Sequence, residues 1–134
     1  MIHLPKQVEY ALMVLAEMQS GKPGQLFSVR SLTEQLAIPF DVTSKAMQAM
    51  THAGILRSVQ GKYGGYQIIR DLDTLSLEEL MRVVDGPNAI ATCLQPGHTC
   101  PHSGRCVIRR AVARLDDKVR TFLQAVRISE LIAS

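Results

Sequence analysis

The sequence predicts a mainly α-helical domain carrying one small β-hairpin and closing on a long helix. Three observations carry this: apolar residues at helical spacing through most of the chain, two short runs around a glycine-rich tip between 55 and 70, and a seven-residue apolar repeat from 108 to 126. With 134 residues the chain can bury one core, but not the scaffold of a barrel or doubly wound enzyme. Aromatic residues are only 4% and tryptophan is absent, so that core must be aliphatic.

The elements follow in order. Val8, Leu12, Leu15 and Met18, with Ala11, mark a first helix over 7–19, broken by Gly21, Pro23 and Gly24. Ser28 can cap a short helix whose Val29, Leu32 and Leu36 share a face. Ala37-Ile38-Pro39 makes a tight connection to a helix ending near Ala53, with Val42, Ala46, Met50 and Ala53 expected inward and Gly54 as its stop. Met13, Met18, Met47 and Met50 read as core filler. Ile55–Gln60 and Tyr66–Arg70 read as strands around the turn Gly61-Lys62-Tyr63-Gly64-Gly65. Ser76-Leu77-Glu78-Glu79 is a capping box for a helix through Val84. A long helix is expected from Cys106 to about Arg127, and Ser129 is placed to cap a last short turn.

Fifteen basic against 12 acidic residues leave a net charge of +3. The charge is uneven: residues 42–70 hold Lys45, Arg57, Lys62 and Arg70 and no acid, 71–85 are acidic, and 86–127 turn basic again. An apolar content of 46% excludes a disordered tail protein, and no apolar run approaches the roughly 20 residues of a membrane span. With no signal segment at its start, the chain is expected to be cytoplasmic. No Ser/His/Asp set, phosphate loop or working carboxylate pair is recognisable, so no enzyme is expected; Glu78-Glu79 belong to a helix start and Asp116-Asp117 to a helix face.

Helix, short helix, tight turn, helix and glycine-tipped hairpin is the plan of a winged helix-turn-helix, whose second paired helix enters a DNA major groove. Thr43, Ser44, Lys45 and Gln48 are the outward positions expected there, and Lys62 and Tyr63 project from the wing. Ser28, Arg30 and Phe40, at the helix starts, complete the candidate DNA-facing set. Asp41, in the first turn of that helix, is expected to serve the helix dipole.

From Gly86 to Arg105 runs a stretch with three prolines, three glycines and little periodicity, a length that usually needs something to order it. All three cysteines lie between 93 and 106, spaced Cys93-x6-Cys100-x5-Cys106, a poor disulfide framework and a good ligand set. Three readings compete: tetrahedral zinc completed by a histidine, free thiols as a redox switch, and an iron–sulfur cluster. His98 and His102 lie in the loop, and Glu9 is a more distant candidate ligand.

These residues together resemble the Rrf-type (Rrf two) family of winged helix-turn-helix transcriptional regulators, in its iron–sulfur group of IscR-like and NsrR-like members. The likeness spans nearly the whole chain: Glu9-Tyr10-Ala11-Leu12, Ile38-Pro39-Phe40, Ala53-Gly54-Ile55-Leu56 and, most specifically, the wing Gly61-Lys62-Tyr63-Gly64-Gly65-Tyr66. Cys100-Pro101-His102-Ser103-Gly104-Arg105-Cys106, followed by Arg109-Arg110-Ala111, is similar to the NsrR branch in particular. The resemblance implies a homodimeric, DNA-binding regulator with a cluster held by Cys93, Cys100 and Cys106. In IscR-like members the fourth ligand is a histidine three residues after the last cysteine, a position held here by Arg109. In NsrR-like members it is a first-helix carboxylate from the other subunit, matched here by Glu9; His98 and His102 stand next. Gln60 replaces the arginine that many relatives carry before the wing glycine, leaving minor-groove contact to Lys62.

The expected organisation is a DNA-binding unit over 1–85, a cluster-binding loop over 86–105, and a dimerisation helix with a C-terminal short helix over 106–134. The expected function is a DNA-binding regulator that senses redox state, nitric oxide or iron–sulfur status. A 4Fe–4S cluster is favoured over 2Fe–2S, since three thiolates and one labile ligand suit a reactive sensor. The competing reading is an iron–sulfur or zinc protein that does not bind DNA, to which the wing would be of no use. In the long helix Ile108, Val112, Leu115, Val119, Phe122 and Val126 follow spacings of 4, 3, 4, 3, 4, a seam for a second copy; Val107, Ala111 and Leu123 form the edge expected to face the chain's own body. A two-fold dimer would read a pseudo-palindromic operator on double-stranded DNA.

Overall fold

The computed structural model describes residues 3–133 apart from Asn88, His98, Cys100 and Ser103, with Thr92 described for its backbone alone. Its helices are α1 (Lys6–Gln19), α2 (Val29–Leu36), α3 (Phe40–His52), α4 (Leu77–Asp85), α5 (Arg109–Ala125) and α6 (Ile128–Ile132). The hairpin is β1 (Leu56–Val59) and β2 (Gly65–Ile68), antiparallel, with Leu56 opposite Ile68 and Val59 opposite Gly65. Short 3-10 turns lie at Leu72–Thr74 and Thr92–Leu94.

α1 is the central rod. Its Val8, Ala11, Val14, Leu15 and Met18 are buried in one cluster with Met47 and Met50 of α3 and Leu77 and Leu80 of α4. The fully buried side chains of that cluster are aliphatic or methionine, while Phe27 and Tyr66 pack at its edge. Ser28 caps α2 as expected, its Oγ accepting from the Ser31 backbone N–H at 3.0 Å. Gly54, at φ +79°, ends α3: its N–H reaches Thr51 O at 3.1 Å and that of Ile55 reaches Met50 O at 2.9 Å, the paired bonds of a Schellman stop.

Several local expectations are corrected. The inward face of α3 is Thr43, Ala46, Met47 and Met50, whereas Val42 and Ala53 are exposed. Met47 fills the core, and a helix places Thr43, four residues earlier, on the same face. The hairpin also gains a third, one-residue strand, because Phe27 pairs with Tyr66 through bonds of 3.0 and 2.7 Å. Ser76 caps α4, but no reciprocal bond closes the box, because the Glu79 carboxylate instead takes the Arg70 guanidinium in a two-pronged pair that ties the end of the wing to α4. That hydrogen-bonded pair raises the Arg70 pKa, so the clamp keeps its cation. α5 starts at Arg109 rather than Cys106, with Ile108 at its N-cap and no side-chain cap bond. Ser129 lies inside α6, where Glu130 accepts from the Arg127 backbone N–H at 3.2 Å.

The chain end returns to the core. Leu77 N–H bonds to Val126 O at 2.9 Å and Ile128 N–H to Leu75 O at 2.8 Å, with the Ile128 side chain fully buried. α4 spans about 13 Å and α5 about 25 Å at 1.5 Å per residue, so α4 supports only the C-terminal half of α5. Leu123 and Val126 therefore face the chain's own body, and Val119 joins Leu123 and Met81 around a cavity between α4 and α5. Val107 and Ala111, expected on that side, are exposed instead. Ile108, Leu115 and Phe122, seven residues apart, stay 59%, 52% and 68% exposed.

Candidate functional site

α2 and α3 are joined by Ala37-Ile38-Pro39, with Ala37 in the left-handed region at φ 54°. This turn sets α3 across α2 with one face free. The free face runs along Asp41, Lys45, Gln48 and His52, all exposed, with half-buried Ser44 on one flank and exposed Val42 on the other. Arg30 of α2 lies over the Phe40 ring, 5.8 Å from its centroid, which holds a guanidinium beside the start of α3. Ser28, Arg30, Phe40, Lys45 and Gln48 are exposed. The structure thus leaves most of the expected set at the surface on two adjoining helices.

Thr43 is the exception. It is 0% exposed, so it cannot face DNA, and among the described residues its Oγ1 has no hydrogen-bond partner. The clue was present in the sequence: a methionine at 47 that belongs to the core carries position 43 inward with it. A buried hydroxyl without a partner costs roughly 1–3 kcal/mol. Thr43→Val should therefore raise stability by about 1 kcal/mol and leave DNA affinity unchanged, as read by thermal melting and gel shift. A loss of DNA affinity would return Thr43 to the interface. Asp41 and Val42 are further outward residues that the sequence reading did not place in the interface, Val42 having been expected inward with Ala46 and Met50, which are buried.

At the wing, Tyr63 is 83% exposed and Lys62 lies over its ring at 5.7 Å. Arg57 of β1 bonds Gln67 of β2 at 2.8 Å, adding a second exposed cation to the hairpin. Basic and polar groups on α3 and on the wing form a two-part surface suited to base edges and phosphates.

The cysteine loop begins where α4 ends. Cys93 sits in the 3-10 turn and Cys106 shortly before α5; both thiols are free and half-buried. Soft, unpaired, partly accessible thiols fit an iron–sulfur or zinc group by the chemistry of their donors. Cys100 and His98 lie outside the described residues, and His102 is exposed. Glu9 is partly exposed on α1 and pairs with Lys6 at 3.1 Å, which raises the Lys6 pKa. Among the described residues no three His, Cys, Asp or Glu side chains gather as a metal site, so Glu9 does not join Cys93 and Cys106 within one chain.

The loop is strapped to the helices. Ile90 N–H donates to Asp116 Oδ1 at 3.0 Å, and Arg120 bridges Asp116 at 3.1 Å to Glu78 of α4 at 3.5 Å. Glu78 also pairs with Arg82 at 3.3 Å. Glu78 and Asp116 are largely shielded, so this network is less screened than a surface pair. α4 in turn packs on α1 and α3. A chain of direct contacts therefore runs from the start of the cysteine loop to α3.

Fold and surfaces together define a class: a winged helix-turn-helix, DNA-binding transcription regulator. Among the described residues no helix is long and apolar enough to cross a membrane. The family model Rrf2, described as an iron-dependent transcriptional regulator, matches residues 4–134, and the chain belongs to this family of regulators, which are not enzymes. It is similar to the HTH-type transcriptional repressor NsrR of Streptomyces coelicolor, at 24% identity over 124 residues, covering 92% of this chain and 82% of that protein. An rrf2-like HTH-type regulator of Rhodobacter capsulatus matches at 24% over 140 residues, covering 98% and 93%. Among solved structures, the fold is shared with CymR, the global cysteine regulator of B. subtilis, at TM-score 0.72 and 19% identity over 99% of this chain and 98% of that one. It is shared also with T. potens IscR, at TM-score 0.69 and 14% identity over 98% and 87%.

Proposed function

We propose that this regulator senses redox state, nitric oxide or iron–sulfur status through a cluster of the 4Fe–4S type held by Cys93, Cys100 and Cys106. The observation that carries the reading is the pair of free, half-buried thiols in and just after a loop strapped to α4 and α5. When bound, the cluster supplies a centre that reacts with oxidants and nitric oxide. The fourth ligand in this reading is Glu9 of the partner subunit, the position to which the resemblance to NsrR-like members points, with His98 and His102 next; in its own chain Glu9 pairs with Lys6. Loop order at 86–105 is passed through Ile90, Asp116, Arg120 and Glu78 to α4 and so to the groove-reading helix, a two-state coupling.

The working unit is a homodimer joined along α5 and set on a pseudo-palindromic operator. Ser28, Arg30, Phe40, Ser44, Lys45, Gln48, Lys62 and Tyr63 form the DNA-facing set. Lys62→Ala weakens binding to every DNA sequence and reduces the salt slope by about 1, because a wing lysine meets phosphate. Ser44 and Gln48 variants instead alter sequence preference. An unchanged affinity and slope in Lys62→Ala would remove the wing from the interface. The sensing reading is tested by absorbance, iron and sulfide analysis of anaerobically purified protein. Iron and sulfide bound together support it; stoichiometric tetrahedral zinc with neither overturns it.

A further inference from the structure

Beside the Phe40 ring, the first turn of α3 exposes the short side chains Asp41 and Val42, while the longer Lys45 and Gln48 follow one turn later. The N-terminal residues of a recognition helix are those that reach base edges in the major groove. Val42 is the odd member. It is 40% exposed and belongs neither to the core nor to the apolar residues packed against it. The nearby Phe40 ring is covered by Arg30. A β-branched residue at an exposed helical position brings no gain in helix propensity. The exposed part of its isopropyl group is available to a ligand surface. Of the four bases, only thymine offers a methyl group in the major groove, and an apolar side chain is its natural contact.

We propose that Val42 is a specificity-determining residue that reads a thymine 5-methyl group in each half of the operator. The inference rests on α3 being the groove-reading helix, and the test separates the two. An operator is first selected from a random duplex pool with the full chain purified anaerobically. Each thymine of the selected site is then replaced by uracil, which removes only the methyl group and needs no protein variant. The expected result is one thymine per half-site at which uracil weakens binding about three- to tenfold. That penalty disappears in Val42→Ser and persists in Val42→Ile, with the melting temperature of each variant near that of the parent because the site is exposed. Tolerance of uracil at every thymine, or an equal penalty in Val42→Ser, overturns the proposal while leaving α3 as the reader. A pool in which no sequence is enriched overturns the groove-reading assignment of α3, and Val42 with it.

Discussion

Replacing Leu115 and Phe122 together by aspartate yields a folded monomer that no longer holds its operator. Ile108, Leu115 and Phe122 recur every seven residues on the side of α5 that turns away from α4, and all three are more than half exposed. The contact with the chain's own body is carried by Leu123 and Val126, which the double variant leaves alone. Burying each of these large side chains against a second copy is worth about 1.5–3 kcal/mol. Two aspartates per chain bring four carboxylates to a two-fold interface, at a cost of several kcal/mol for each that must be desolvated. The monomer–dimer equilibrium should therefore shift by more than about a thousandfold, since ~1.4 kcal/mol is a factor of ten. Light scattering and gel shift on the selected operator read the two effects, and an iron assay reads whether the cross-chain Glu9 is also lost. A wild-type chain that is already monomeric at micromolar concentration would end this architecture.

Gly64→Ala breaks the wing. A Cβ built at Gly64 lies 2.0 Å from the Val59 carbonyl oxygen and 2.9 Å from its carbon, and both are backbone atoms that cannot rotate aside. The strand ends at Val59 and Gly65 face each other in register, so relief of this clash has to open the hairpin where Lys62 and Tyr63 are mounted. The expected loss of stability is about 1–3 kcal/mol, the usual range for overpacking a closed site. DNA affinity should fall on operator and unrelated duplex alike, because the wing supplies phosphate contacts. Lys62→Ala provides the contrast, lowering affinity with no change in melting temperature. A Gly64→Ala chain that melts and binds like the parent would show that the hairpin tip plays no part in docking.

The order of elements was written in local chemistry. Ser28 and Ser76 cap the helices they precede, Gly54 stops α3, and the glycine-rich run at 61–65 turns the hairpin, each through bonds within a few residues. Short-range signals of this kind survive without tertiary context. The bounds of α5 did not, because its start lacks a capping side chain and depends on what the loop before it does. The surface position of Arg30, Phe40, Lys45, Gln48, Lys62 and Tyr63 was legible from polarity, charge and position, while Thr43 proved buried and Val42 exposed. Thr and Val are nearly equal in size and both β-branched, so composition could not tell which of two neighbours faced the core.

By itself, the sequence determined the helix-turn-helix plan, the winged hairpin, the aliphatic core and a cysteine set fit for a soft metal group. These depend on spacing and residue type, which the chain carries locally. The tertiary structure fixed how far each side of α3 is exposed, through the packing of Met47 and Met50 against α1. It also decided that α5 spends Leu123 and Val126 on its own body and leaves Ile108, Leu115 and Phe122 uncovered, because α4 is too short to reach along the whole helix. The strap from Ile90 to Glu78 was likewise hidden, joining residues far apart in the chain through charges that carry no sequence signature until the fold sets them side by side.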